Sequence, residues 1–131
     1  MFNPERRARK PSLLACLGAL LAAASIGLSA YAAHGVADPL AQQRLNMAAL
    51  YAFAHGAVLL ALGPRAQGAI AHLGLYVLLL GVLLFSGSLA GAALWQWPTR
   101  LAPVGGTTLM AGGVLLALNA LYIGFGAILG T

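Results

Sequence analysis

The chain has 131 residues, of which 61% are hydrophobic and only 7% charged, and its mean hydropathy is +0.89. Polar side chains are too few to cover a water-soluble core, so the composition excludes an ordinary soluble domain and predicts an integral membrane protein. Seven basic residues against two acids give a formal charge of +5 at pH 7.

The N-terminal segment, residues 1–11, is basic and precedes the first apolar run. Its cationic side chains are Arg6, Arg7, Arg9 and Lys10. Such clusters beside a membrane span set its orientation and attract anionic lipid headgroups. No further basic or aromatic residues extend the cluster toward a nucleic-acid surface. We therefore expect a topology signal in contact with anionic lipids, and no nucleic-acid partner.

Four apolar runs follow this segment in chain order. They cover residues 12–33, 46–63, 69–95 and 102–130. At about 1.5 Å of rise per helical residue, each run is near or above the roughly 30 Å thickness of bilayer hydrocarbon. The sequence thus predicts an all-α membrane fold, a four-transmembrane-helix bundle over residues 12–131.

The first run ends in Ala30-Tyr31-Ala32, a pattern typical of a signal-peptide cleavage site. A secretory signal contains an apolar stretch of only about 7–15 residues, and this run is longer. We interpret it as a spanning helix. Its single cysteine, Cys16, has no partner for an intramolecular disulfide and is expected to serve packing.

The second helix is expected to begin before its apolar run. Asp38-Pro39 is typical of an N-cap residue followed by proline at the first helical position. The helix should therefore start near Pro39, with polar first turns above the bilayer, and become apolar only from residue 46.

The tripeptide Ala-His-Gly occurs at His34 and again at His55. Two histidines at one depth could share a metal or a haem, and visible absorption would test a bis-histidine haem. With the N-terminus in the cytoplasm, His55 lies about 12 Å from the cytoplasmic end of the second helix, whereas His34 lies at the opposite, outer end of the first helix. We therefore expect no shared centre, no metal and no cofactor.

Six polar side chains within or beside the apolar runs are candidates for a site: His34, Tyr51, His55, Ser86, Ser88 and Asn119. His55, with Tyr51 one turn before it, should face a polar partner or a cavity, because lipid offers neither. His55 could form a proton-responsive or ligand-holding site, or it could make a structural hydrogen bond between helices worth about 0.6–2 kcal/mol. The structural hydrogen bond is favoured. His34 is expected to cap its helix, and Asn119 to need a partner within the bundle or in another subunit.

Small residues predict where helices approach closely. The glycines expected at such contacts are Gly35, Gly87, Gly105, Gly106, Gly112 and Gly113. Gly87, between two serines, is expected to meet the backbone of a neighbouring helix. Pro103 with Gly105-Gly106 predicts an irregular start to the fourth helix.

Four short motifs resemble, in order and spacing, those of the membrane family called domain of unknown function 423. They are SAYAAHG (29–35), YAFAH (51–55), LFSGSL (84–89) and APVGGTTLMAGG (102–113). The resemblance implies a small four-helix protein of the bacterial inner membrane with no established activity. Ala32 and Ala52 stand where the family pattern has glycine and glutamine. Without that glutamine, no amide lies beside His55, which argues against a catalytic network there.

Several chemical classes lack the residues they require. No Asp, Glu, Lys or Arg lies deep in an apolar run, as ion-driven pumps need. No Cys/His set has metal-site spacing, and no Ser-His-acid set is visible. We therefore predict no catalytic residues and a non-enzymatic protein that packs with itself or with a membrane partner. The alternative is binding or transport of a small solute, an ion or a lipid through a polar cavity at Tyr51, His55, Ser86 and Ser88.

Both termini are expected in the cytoplasm. This orientation places five basic residues inside (Arg6, Arg7, Arg9, Lys10 and Arg65) and two outside (Arg44 and Arg100), as the positive-inside rule favours. Reporter fusions after Thr131 and within residues 34–44 should report opposite sides of the membrane. The same side for both would contradict four spans.

Overall fold

The computed structural model describes residues 11–130, which form four long helices. We label them α1 (Leu13–His34), α2 (Pro39–Leu62), α3 (Ala69–Trp95) and α4 (Leu101–Leu129), with a short 3₁₀ turn, Gly63–Arg65, after α2. All four are long and apolar enough to cross a membrane, and no strand occurs within the described range. The predicted all-α membrane class is confirmed. The basic residues Arg6, Arg7, Arg9 and Lys10 lie outside the described residues.

Local capping explains where the first two helices start. The Ser12 hydroxyl accepts a hydrogen bond from the Ala15 N–H at 3.2 Å, so α1 begins at Leu13. The Asp38 carboxylate accepts one from the Ala41 N–H at 3.1 Å, with Pro39 as the first helical residue. Both side chains satisfy N–H groups that have no partner within a helix. The predicted start of α2 at Pro39 is confirmed.

The start of α4 is more regular than predicted. The helix begins at Leu101 and runs without interruption through Pro103 and Gly105-Gly106. Proline lacks an N–H, but N–H groups of the first helical turn have no intrahelical acceptor, so Pro103 removes no hydrogen bond there. The predicted irregular entry is wrong for this reason.

The α1–α2 contact is a crossing of two backbones. A Cβ placed on Gly18 would lie 2.5 Å from the Gly56 carbonyl oxygen, and one on Gly56 would lie 2.6 Å from the Gly18 carbonyl oxygen. Gly63, two turns later, would bring a Cβ to 3.0 Å from the Ala15 nitrogen. No larger residue fits at this depth, so glycine sets the distance between α1 and α2.

The α3–α4 contact is built in the same way. A Cβ on Gly81 would lie 2.7 Å from the Leu109 nitrogen, and one on Gly112 would lie 2.9 Å from the Leu78 nitrogen. Gly105 is equally crowded, since its Cβ would lie 2.9 Å from the Gly81 carbonyl oxygen. The predicted close packing at Gly105 and Gly112 is confirmed.

The four helices form an open row. Each packs along its neighbour in the chain, α1 meets α3 at only a few positions, and no comparable packing joins α1 to α4 within residues 11–130. The central α2–α3 contact holds the largest fully buried side chains, among them Leu59, Leu75 and Val82. The helices at both ends of the row therefore keep a face free for lipid or for another protein.

Four of the glycines expected at helix contacts lie elsewhere. Gly87 and Gly113 are exposed, and a Cβ on either would meet no atom within 4 Å, so their predicted packing within the chain is wrong. Gly106 would touch only the Phe85 ring, at 3.8 Å, and Gly35 is crowded by Tyr31 of its own helix. Gly87 follows Ser86 by 100° around the helix, which turns it out of the contact that Ser86 enters.

Alanine substitutions separate the two kinds of glycine. Gly56→Ala and Gly105→Ala should lower the free energy of unfolding by about 1–3 kcal/mol, because the added methyl meets backbone that cannot move aside. Gly87→Ala should instead raise it by up to about 1 kcal/mol through helix propensity. Unfolding in detergent, followed by circular dichroism, measures both effects. Equal destabilisation at Gly56 and Gly87 would contradict this assignment.

Candidate functional site

The buried polar side chains are Ser25 on α1 and Ser86 and Ser88 on α3. The Ser86 hydroxyl, 6% exposed, donates a hydrogen bond to the Ala48 carbonyl oxygen at 2.9 Å and so links α3 to α2. The ring of Phe85, the residue before Ser86, packs on the ring of Tyr51, one turn after Ala48 on α2, with 4.7 Å between ring centroids. A hydroxyl bonded to a neighbouring helix holds two spans together without exposing a polar atom to lipid.

His55 forms its hydrogen bond within its own helix. Its Nδ1 lies 2.8 Å from the Tyr51 carbonyl oxygen, and the two rings are stacked with centroids 5.9 Å apart. A carbonyl oxygen only accepts, so Nδ1 is the donor of this bond. Three other polar side chains form hydrogen bonds elsewhere: Ser25 donates to the Ala22 carbonyl, His72 bonds the Gly68 carbonyl, and Ser86 donates to the Ala48 carbonyl.

Ser88 differs from Ser86 although both are buried. The Ser88 hydroxyl is 7% exposed and has no hydrogen-bond partner among residues 11–130. It lies seven residues after Gly81 and therefore on the side of α3 that packs against α4. An unpaired buried hydroxyl destabilises a fold.

The two Ala-His-Gly histidines are far apart. Gly56, next to His55, crosses Gly18 of α1, and His34 lies more than four turns after Gly18, about 24 Å along the axis. His34 is exposed, and the cap of α1 is formed by the Gly35 N–H, which donates to the Tyr31 carbonyl at 2.7 Å. The imidazole is therefore not the cap that the sequence predicted.

Asn119 lies in a cleft at the end of the molecule where α2 ends and α3 begins. The cleft, of about 170 Å³, is also lined by Arg65, Gln67, Ala71 and Leu75. Ala71 and Leu75 belong to the first two turns of α3, which places Asn119 near the membrane surface and not deep in the bundle. The sequence patterns did not single out Arg65 and Gln67 as site residues. The signal was available, because both belong to the polar loop that follows Gly63-Pro64.

A second cleft, of about 370 Å³, opens at the same end of the molecule. It is lined by Pro11, Ser12, His72 and Tyr76, and it shares Ala66 with the first cleft. Pro11 directly follows Lys10, the last basic residue of the N-terminal segment. Polar side chains therefore line both clefts at this end of the molecule.

The described residues contain no group of three or more His, Cys, Asp or Glu side chains that could hold a metal ion. The side-chain donors at His55, Ser25 and Ser86 each bond a backbone carbonyl oxygen. Such bonds position helices, and none of them forms a nucleophile–base pair of the kind that acyl-transfer enzymes use.

Comparison with known proteins places these helices in a family. The family model described as "Protein of unknown function (DUF423)" matches residues 28–106, from the end of α1 to the start of α4. The chain is 32% identical over 114 residues to a UPF0382 membrane protein of Staphylococcus saprophyticus, covering 82% of this chain and 95% of that protein. A UPF0382 membrane protein of Staphylococcus haemolyticus is also 32% identical, with 82% and 93% covered. No solved structure matches.

The two serines should respond in opposite directions to loss of the hydroxyl. Ser86→Ala should lower the free energy of unfolding by about 0.6–2 kcal/mol, because it removes the bond between α3 and α2 and leaves the Ala48 carbonyl without it. Ser88→Ala should leave stability unchanged or raise it, since the hydroxyl has no partner to lose. Unfolding in detergent compares the pair. A larger loss at Ser88 than at Ser86 would contradict the assigned contacts.

Proposed function

We propose that this chain, which belongs to the DUF423 family of membrane proteins, is a non-enzymatic protein that acts by packing against another membrane protein, in the first place a second copy of itself. Its location is the bacterial inner membrane, with several spans and both termini in the cytoplasm. The proposal concerns the outward face of α4, which we call the α4 face and define by Gly113, Ala117 and Ala120.

The observation that carries the proposal is the open row of helices. Among the described helices, α4 packs mainly against α3, and Gly113, Ala117 and Ala120 are all exposed. Their spacings of four and three place them on one face of α4. In membranes, faces of small residues allow helix backbones to approach and gain van der Waals contact. A glycine facing only lipid would weaken the helix by about 1 kcal/mol relative to alanine, and no packing contact would compensate for this loss.

The interior contacts favour packing over transport or catalysis. The alternative cavity at Tyr51, His55, Ser86 and Ser88 would need polar groups free to meet a solute. Instead, the Ser86 hydroxyl is bonded to the Ala48 carbonyl, and the Tyr51 ring is packed against Phe85. These groups stabilise the α2–α3 contact, which supports a structural role for them.

Two arguments support the location and orientation. Relatives from Staphylococcus are named as membrane proteins, and helical spans differ from the β-barrels typical of bacterial outer membranes. Arg65 lies at the end of α2 on the same side of the row as the start of α1. The start of α1, which follows the basic cluster in the sequence, and Arg65 are therefore on one side, which the positive-inside rule assigns to the cytoplasm.

Self-association is tested with two glycines that are both exposed and both without an atom within 4 Å of a Cβ: Gly113 on α4 and Gly27 on α1. Neither substitution should disturb the fold of one chain. Gly113→Leu should weaken association by about tenfold, whereas Gly27→Leu should leave it unchanged, because only the first separates backbones at the α4 face.

The measurement is Förster energy transfer between labelled copies in liposomes over a range of protein-to-lipid ratios. Wild-type protein should show transfer above that of randomly mixed labels. Absence of that excess would contradict self-association. Equal loss for Gly27→Leu and Gly113→Leu would remove the α4 face as the interface.

A further inference from the structure

The cleft that holds Asn119 has a polar rim and apolar walls. Arg65, Gln67 and Asn119 supply the polar side chains, whereas Leu75 and Leu116 line the part between α3 and α4. Arg65 and Gln67 follow the end of α2, so the rim lies at one end of the membrane-spanning helices. The same distribution is found in an amphiphile, with a polar head at the membrane surface and an apolar tail below it.

Arg65 has no partner of opposite charge in the described part of the chain. The one acid there, Asp38, caps the far end of α2, about 36 Å away along the helix axis. No ion pair or hydrogen bond of the Arg65 side chain forms within residues 11–130. A guanidinium at a membrane surface without a protein carboxylate attracts an anion, and its planar donors suit the oxygens of a phosphate.

Asn119 adds neutral donors on the facing helix. Its side chain is half-buried in the cleft and makes no hydrogen bond with any residue between 11 and 130. An amide in an apolar wall needs a partner, and an amide can donate two hydrogen bonds to an oxyanion. Gln67 offers the same group on the loop side. Both residues point to a ligand with oxygen acceptors.

We propose that this cleft binds the phosphate headgroup of an anionic phospholipid, with Arg65 pairing the phosphate, Asn119 and Gln67 donating to its oxygens, and the acyl chains running along Leu75 and Leu116. A zwitterionic lipid fits less well, because none of the described residues that line the cleft carries a carboxylate to receive its ammonium group. The residues differ from the α4 face: Leu116 and Asn119 follow Gly112 around α4, whereas Gly113, Ala117 and Ala120 are turned roughly 100° away. The site therefore does not depend on self-association.

The test uses full-length protein purified in neutral detergent. Phosphatidylglycerol and phosphatidylcholine of equal chain length are titrated into it, and retained lipid is counted by native mass spectrometry while thermal unfolding is followed in parallel. Phosphatidylglycerol should be retained at a single saturable site and should raise the unfolding temperature, and phosphatidylcholine should do neither. Equal retention of both lipids would overturn the proposal.

Four variants locate the site. Arg65→Gln should weaken phosphatidylglycerol binding about five- to tenfold, the effect of one charge at a membrane surface. Asn119→Asp, which keeps the side-chain size, should weaken it at least as much, because a carboxylate repels the phosphate. Arg100→Gln, at the opposite end of the molecule, should bind as wild type. Replacement of Arg6, Arg7, Arg9 and Lys10 by glutamine should reduce affinity without abolishing the preference for phosphatidylglycerol.

Two results would overturn the site. Wild-type affinity in both Arg65→Gln and Asn119→Asp would exclude this cleft and leave general attraction by the basic segment. An equal rise in unfolding temperature with glycerol phosphate or inorganic phosphate would show that a free anion suffices and that no lipid is recognised. Energy transfer between labelled copies should be unchanged in Arg65→Gln, so failure of the lipid site and failure of self-association are distinguishable.

Discussion

The fold depends on how closely two helix backbones approach where neither carries a side chain. At the Gly18–Gly56 crossing and along Gly81, Gly105 and Gly112, even a single Cβ would overlap backbone atoms. Within lipid, no hydrophobic effect drives helices together, so association relies on van der Waals contact and on hydrogen bonds between helices. Close glycine contacts provide the first, and the Ser86–Ala48 bond between the two pairs provides the second.

Polar side chains inside the bundle and those at one of its ends differ in whether they have hydrogen-bond partners. In the middle of the membrane, Ser25, His55 and Ser86 bond backbone carbonyls, so each satisfies its own polarity and stabilises helices. At the end where α2 stops and α3 starts, Arg65 and Asn119 line a cleft. Neither side chain forms a hydrogen bond with another described residue. A ligand is therefore best sought at the membrane surface and not among the buried serines and histidines.

Sequence patterns were sufficient to predict where the helices lie but not which of their residues are in contact. Apolar length, Ser12, Asp38 and Pro39 define where the helices lie, because capping and bilayer thickness act locally. A glycine's neighbours depend on helix rotation, which one residue changes by 100°. The close contacts of Gly105 and Gly112 were thus predicted correctly. Gly87 was wrongly expected at a helix contact, although its neighbour Ser86 is buried in one. Gly56 was not predicted as a contact residue, because only the adjacent His55 drew attention in the sequence.

Disulfide trapping in native membranes tests the open row most directly, in a chain whose Cys16 is replaced by serine. A Cβ at Gly74 would lie 3.4 Å from the Leu115 Cβ, close to the spacing in a disulfide of about 3.8 Å. Cysteines at residues 74 and 115 should therefore bridge within one chain. Cysteine pairs scanned between α1 and α4 should remain reduced within each chain. Efficient bridging between α1 and α4 inside one chain would show a closed bundle and contradict the account.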